Sequence, residues 1–221
     1  MRRPRIVRRL VTLAVVLGLL AGLLAIADAI ARHVSQDALA ARARSATGAK
    51  TANVSVSGWP FLYDVLGRGK VAGIDIHLTG VPIGQVRLAL LDVRLGNVTF
   101  SRSALFSDHL QLTSIGSAAV TAEVTASELS AVAGRTVHLL GDGTIEVAGL
   151  PAVAANAAVV ENGTQVVISV SGVTVARLDF GRDKLVPACS MNVTVLAGRM
   201  EATCHVAPVP ERVLRTVDAA A

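Results

Sequence analysis

The chain predicts an α+β fold: an N-terminal membrane helix, then one long amphipathic helix packed against a curved, mainly antiparallel β-sheet with an apolar cleft. Three observations carry this expectation. Five arginines precede a long uncharged apolar run, a single stretch of helical periodicity follows it, and beyond Gly48 the hydrophobic period falls from about 3.6 to about 2 and stays there.

The membrane helix comes first. Arg2, Arg3, Arg5, Arg8 and Arg9 flank the run from Leu10 to Ala27, which carries no charge until Asp28. At about 1.5 Å per residue this run just crosses a hydrocarbon core of roughly 30 Å. Arginines on one flank stay in the cytoplasm by the positive-inside rule, so everything after the run is delivered outside. The expected organisation is a cytoplasmic basic tail over 1–9, a transmembrane signal anchor over 10–27, and an extracytoplasmic domain over 28–221 of a single-pass plasma-membrane protein. Ala25-Ile26-Ala27 also has the small-x-small form of a signal-peptidase site. Cleavage after Ala27 and secretion to the periplasm is therefore the alternative, and both readings put the domain outside.

The charge balance supports this division. The chain has 21 Lys and Arg against 16 Asp and Glu, but all the acids lie from Asp28 onward and five of the arginines lie before Leu10. The domain itself is electrically balanced. A sequence pI near 10.0 thus reflects the basic tail, no basic stripe remains, and nucleic acid is not an expected partner. Arginine greatly outnumbers lysine, and Ala and Val are abundant, a bias that fits a GC-rich genome such as an actinobacterium's.

From Asp28 to about Ala46, the residues Ile30, Val34, Leu39 and Ala43 recur at helical spacing, with Arg32, Gln36, Arg42 and Arg44 between them. This stripe is expected to cover the sheet, and a helix lying in the bilayer surface is the alternative. Strands are predicted around Val54 to Val56, Ile74 to Leu78 and Val86 to Leu90, after which the apolar phase slips to Leu91, Val93 and Leu95 as at a bulge. Further alternating runs lie near Val120 to Val124, Val137 to Leu139, Ile145 to Val147, Val153 to Val159, Val166 to Val170 and Val173 to Leu178. Asn162-Gly163 is a hairpin turn signal, and Thr125 to Ala133 reads as a short helix capped by Thr125 or Ser127.

Cys189 and Cys204 bracket a segment that alternates, turns near Leu196 to Gly198, and returns. A hairpin centred at 196.5 would set the two sulfurs nearly opposite, so a structural disulfide is expected in an oxidising compartment. Free buried thiols are the alternative.

Catalytic signatures are absent from the sequence: neither G-x-S-x-G nor H-E-x-x-H occurs, and the five histidines are scattered without ligand spacing. Gly67-Arg68-Gly69-Lys70-Val71-Ala72 matches G-x-G-x-x-A, but the next residues alternate as a strand rather than opening a helix, so it is no dinucleotide site. The chain is expected to be no enzyme, with no metal and no cofactor.

One constellation stands out. Gly58-Trp59-Pro60-Phe61-Leu62-Tyr63 gathers the only Trp and the only Tyr directly after a strand, and Val65, Leu66, Arg68 and Lys70 follow. Pro60 stops the strand from continuing as a central ladder. Such a turn can touch acyl chains while its cations pair with a phosphate headgroup, which makes Trp59, Phe61, Leu62, Val65, Leu66, Arg68 and Lys70 candidate lipid-binding residues, with Arg42 or Arg44 as further cations. It can equally be a core plug at the end of the sheet with its cations in water.

Gly58-Trp59-Pro60-Phe61-Leu62 and Gly67-Arg68 resemble the turn of the actinobacterial LmeA-like phospholipid-binding family, with Trp where Phe is usual. The likeness extends through Val71 to Leu78, Val81 to Val98, Thr125 to Leu129 and the Cys189/Cys204 ending with Pro208 and Pro210. It implies a lipid-cradling fold similar to the tubular lipid-binding proteins and an anionic phospholipid, such as a phosphoinositide, as partner at the plasma membrane. It further implies a part in cell-envelope assembly, in one branch the elongation of lipoglycan mannan. A structural or partner-binding envelope protein without a lipid cleft is the competing expectation.

Overall fold

The computed structural model describes residues 4–101, 112–149, 153–154, 156–160, 165–170, 173–179 and 192–210, with side chains described over 17–101, 112–149 and 192–210. The helix α1 (Pro4–Thr47) runs unbroken for 44 residues, roughly 66 Å at about 1.5 Å per residue. From Leu17 on it is long and apolar enough to cross a membrane, and little of that part is covered by the domain. The predicted membrane and amphipathic helices are therefore one continuous element.

Beyond α1 come β1 (Thr51–Ser57), a π-helical turn (Tyr63–Arg68), β2 (Lys70–Ile83), β3 (Val86–Phe100), β4 (Leu112–Thr125), α2 (Ala126–Ala133), β5 (Val137–Leu139), β6 (Thr144–Val147), β7 (Val153–Ala154), β8 (Asn156–Val160), β9 (Gln165–Val170), β10 (Val173–Asp179), β11 (Asn192–Leu196) and β12 (Arg199–Val206). A six-stranded sheet runs β1-β2-β3-β4-β12-β11, and two three-stranded sheets run β5-β6-β7 and β10-β9-β8. Every pairing is antiparallel. The predicted α+β class with a curved antiparallel sheet is what the chain adopts.

α1 lies against β1 and the start of the sheet through a stripe of Asp28, Ala31, Arg32, Ser35, Gln36, Leu39, Ala40 and Ala43. This corrects the predicted stripe by half. Leu39 and Ala43 face the sheet, but Ile30 and Val34 are exposed on the far side of the helix, in line with Leu19, Leu23 and Ile26. Small residues such as Ala31 and Ser35 let the backbone approach the strands closely, and periodicity alone does not tell that face from an apolar face turned outward.

Two apolar clusters occupy the two ends of the long strands. The larger one, far from Asp28, gathers Leu78, Leu88, Leu91, Val124, Leu129, Ile145 and Met200. Leu129 reaches it from α2, whose first turn is capped as predicted: the Thr125 hydroxyl accepts the Glu128 N–H at 3.3 Å. The smaller cluster contains Val56, Phe61, Val71, Val98, Ile115, Ala118 and Val209, with Ala31, Leu39, Leu62 and Val65 packed on it.

Between the clusters the inward phase of three neighbouring strands changes together. Ile74, Ile76 and Leu78 give way to Val71 on β2, Leu91, Val93 and Leu95 to Val98 on β3, and Ala118, Val120 and Ala122 to Ile115 on β4. Gly73 pairs with Gly96, Asn97 takes φ 52, and a Cβ on Gly116 would lie only 2.9 Å from that of Asn97. A band without Cβ atoms lets the strands turn sharply, so the end of the sheet nearest Asp28 presents a different set of residues outward. The predicted slip near Leu90 is a similar shift, from Leu88 to Leu91, but it is no bulge: β2 and β3 keep one register through it, beside Gly80 of β2 at φ 65.

The C-terminal hairpin pairs Asn192 with Thr203, so its centre lies between Ala197 and Gly198, one residue later than predicted. Gly198 at φ 77 sets that tight turn. Met200, Ala202 and Cys204 are buried as their alternation requires, and no cysteine is free among the described residues. Cys189 lies outside the described residues, as does the predicted Asn162-Gly163 turn, whose flanking strands do pair, Val160 with Gln165.

Candidate functional site

The site is the end of the sheet where α1 passes Asp28. β1 ends and β2 begins there, β3 runs down to it, β4 and the residues after β12 leave from it, and the turn of 58–69 closes it. Gly58 at φ 133 breaks β1, the Trp59-Pro60 peptide is cis, and the chain coils from Phe61 into the π-helical turn, ended by Gly69 at φ 63. Asp64 N–H bonds the Pro60 carbonyl at 3.1 Å and Gly69 N–H bonds that of Val65 at 3.1 Å.

Two residues of α1 hold this turn. The Asp28 carboxylate accepts the Leu62 N–H at 2.6 Å, and the Arg32 guanidinium donates to the Gly58 carbonyl at 2.6 Å while pairing with Asp28 at 3.4 Å. Arg32 also stands 6.0 Å over the Phe61 ring. Asp28 is only 4% exposed, the one buried charged group in the described chain. Its carboxyl is held below the ordinary value of 3.8, first by the Leu62 N–H, then by that of Phe61 and by Arg32, against the opposing effect of burial. In sequence Asp28 marks the end of the apolar run and Arg32 a polar spacer; nothing in the local pattern shows that both reach a turn some 30 residues on.

A depressed carboxyl stabilises the folded state above its unfolded pKa and loses that contribution as pH falls through the folded value. Asp28→Asn should therefore lower the Tm at neutral pH, and the gap to the natural chain should close as pH drops below 3.8. A gap of constant size across that range, measured by thermal unfolding, would show that the charge of Asp28 does not hold the turn.

The turn divides the predicted site residues into two sets. Phe61 is 7% exposed at the centre of the smaller cluster, and Leu62 and Val65 pack beside it. Trp59 is 75% exposed, Tyr63 56% and Leu66 55%. The Tyr63 ring lies over Gly67, where a Cβ would come within 3.3 Å of it, and the Arg68 guanidinium sits 5.1 Å from its centroid. Arg68 also pairs with Asp64 at 3.5 Å. Arg42 and Arg44 are not brought to this end. They are exposed on α1 some 14 residues beyond Asp28, roughly 21 Å up the helix at about 1.5 Å per residue.

Lys70 opens β2 opposite Thr99, which faces Ser114 on β4. Their neighbours Val71, Val98 and Ile115 point into the apolar cluster, so Lys70, Thr99 and Ser114 project from the opposite face. There they line a pocket of about 500 Å³ together with Asn97, Thr113, Gly116, Pro208 and the cluster residues Ile115 and Val209. Thr99 and Ser114 bond each other through their hydroxyls. Lys70 makes no ion pair with the described residues. Among the described residues the pocket therefore offers the Lys70 ammonium with no paired carboxylate, hydroxyls and an amide, a donor set suited to a phosphorylated or polyhydroxylated group. Among the described residues no group of three metal-ligating side chains occurs.

The family model described as LmeA-like phospholipid-binding matches residues 26–211. No curated protein and no solved structure matches the chain.

Proposed function

The chain belongs to the LmeA-like phospholipid-binding family, and we propose that it is a non-catalytic, membrane-tethered protein that holds an anionic phospholipid at the base of its sheet. The observation that carries this reading is the position of the Lys70 pocket. It opens at the end of the sheet that α1 ties to the apolar run through Asp28 and Leu62.

In this reading the headgroup phosphate meets Lys70, with Arg68 as a second cation whose charge Asp64 partly offsets. A phosphoinositide would further use the hydroxyls of Thr99 and Ser114. The acyl chains lie along Trp59 and Leu66, with Phe61, Leu62 and Val65 as the apolar wall behind them, each methylene removed from water contributing about 0.8 kcal/mol. Residues 1–9 stay in the cytoplasm, 10–27 cross the plasma membrane and 28–221 stand outside; cleavage after Ala27 would instead free the domain into the periplasm. The role is support of envelope lipid or lipoglycan assembly, mannan elongation included.

Arg68→Glu with Lys70→Glu should weaken binding of a short-chain anionic phospholipid, more at low than at high salt, while leaving thermal stability nearly unchanged. Calorimetry on the detergent-solubilised full chain checks this. Equal affinity at low ionic strength would remove both cations from the site.

The same export predicts a Cys189–Cys204 disulfide stapling the C-terminal hairpin, worth roughly 3 kcal/mol for a loop of about 15 residues. Non-reducing peptide mapping of envelope-derived protein should recover the linked pair, and two alkylatable thiols would exclude it.

A further inference from the structure

Polarity is inverted around Asp28. The charged pair Asp28 and Arg32 turns inward under the turn, whereas Leu23, Ile26, Ile30, Trp59, Tyr63 and Leu66 face outward. In water this arrangement exposes large apolar surface and hides a charge, against the usual pattern. At the edge of a bilayer it is the favourable one, because a charge facing lipid is costly and Trp and Tyr settle at the headgroup level. The level is fixed by the chain itself. Asp28 is the first charge after Leu10 to Ala27, and the 2.6 Å bond from Leu62 N–H holds the turn at that height on the helix. On the outer side of α1 the apolar stripe ends at Val34, closed by the exposed pair His33 and Asp37 at 3.6 Å. That leaves a layer of one to two helical turns, about 5–10 Å, matching the depth at which interfacial apolar groups bury.

We propose that Trp59, Tyr63 and Leu66 form a wedge seated in the outer leaflet of the membrane that α1 crosses. The wedge fixes the domain upright and keeps the mouth of the Lys70 pocket at headgroup height, where a lipid can pass from leaflet to pocket without crossing water. Arg68, over the Tyr63 ring, lies where it can pair with lipid phosphate. This inference rests on the reading of α1 as a membrane anchor.

Trp59 is the only tryptophan in the chain, so its emission reports this site alone. The full-length protein is reconstituted into vesicles of phosphatidylcholine and phosphatidylglycerol, floated on a density gradient, and then compared in vesicles whose lipids are brominated high on the acyl chain. The expected result is flotation, a blue-shifted emission, loss of most of that emission to the brominated lipid, and protection from aqueous iodide. W59F carrying L66W should respond the same way. Flotation with a water-exposed, iodide-quenched Trp59 would overturn the wedge and leave the anchor and pocket standing. Failure to float would overturn the wedge together with the anchor. Quenching by brominated lipid in a protein that binds no short-chain phospholipid would uphold the wedge and reject the pocket.

Discussion

Phe61→Ala should destabilise the domain by about 3–5 kcal/mol, while Trp59→Ala, two residues away, should change stability by no more than about 0.5 kcal/mol. Phe61 sits at 7% exposure among Val56, Val71, Val98 and Ile115, and Trp59 is 75% exposed. Removing the first ring leaves a cavity between α1 and four strands; removing the second leaves water or lipid where there was a side chain. Against a total stability of about 5–15 kcal/mol the first loss is enough to unfold much of a marginal domain. Denaturant unfolding of the detergent-solubilised chain, followed by circular dichroism because Trp59→Ala removes the fluorophore, compares the two. Equal losses would mean that the turn is packed as one plug, as the competing reading without a lipid cleft expects.

Replacing Arg2, Arg3, Arg5, Arg8 and Arg9 by glutamate should abolish correct insertion in most molecules. The excess of positive charge on one flank is what orients an apolar run, and no other feature within the first 27 residues does so. A reporter active only outside the cytoplasm, fused after Ala221, should be active on the natural chain and lose most of its signal on the variant. An unchanged signal would place the orienting information elsewhere.

Much of the fold is legible in the chain because alternation and burial agree. Met200, Ala202 and Cys204 alternate in sequence and are buried in turn on β12, and Thr125 caps α2 from where its hydroxyl and the apolar run after it predict. The turn at Gly58 to Leu62 is legible for a different reason, since Gly, Pro and clustered aromatics concentrate there. What is hidden depends on partners distant in sequence. Ile30 and Val34 have the spacing of a core stripe but face away from the sheet, because the small Ala31 and Ser35 pack closer. Asp28 is read as a boundary and is in fact a ligand for a backbone N–H in the turn. The pocket beside Lys70 is invisible to local pattern, because it lies where Gly73 pairs with Gly96, Gly116 falls one residue along β4 from the partner of Gly96, and three strands change phase together.

Mass spectrometry of organic extracts from the purified, detergent-washed full-length protein tests the central claim most directly. Binding at the base of the sheet predicts an anionic phospholipid in near-stoichiometric amount, depleted from the variant carrying Arg68→Glu and Lys70→Glu although that variant remains folded. Folded natural protein that carries no phospholipid above the background of an unrelated single-span protein would contradict it.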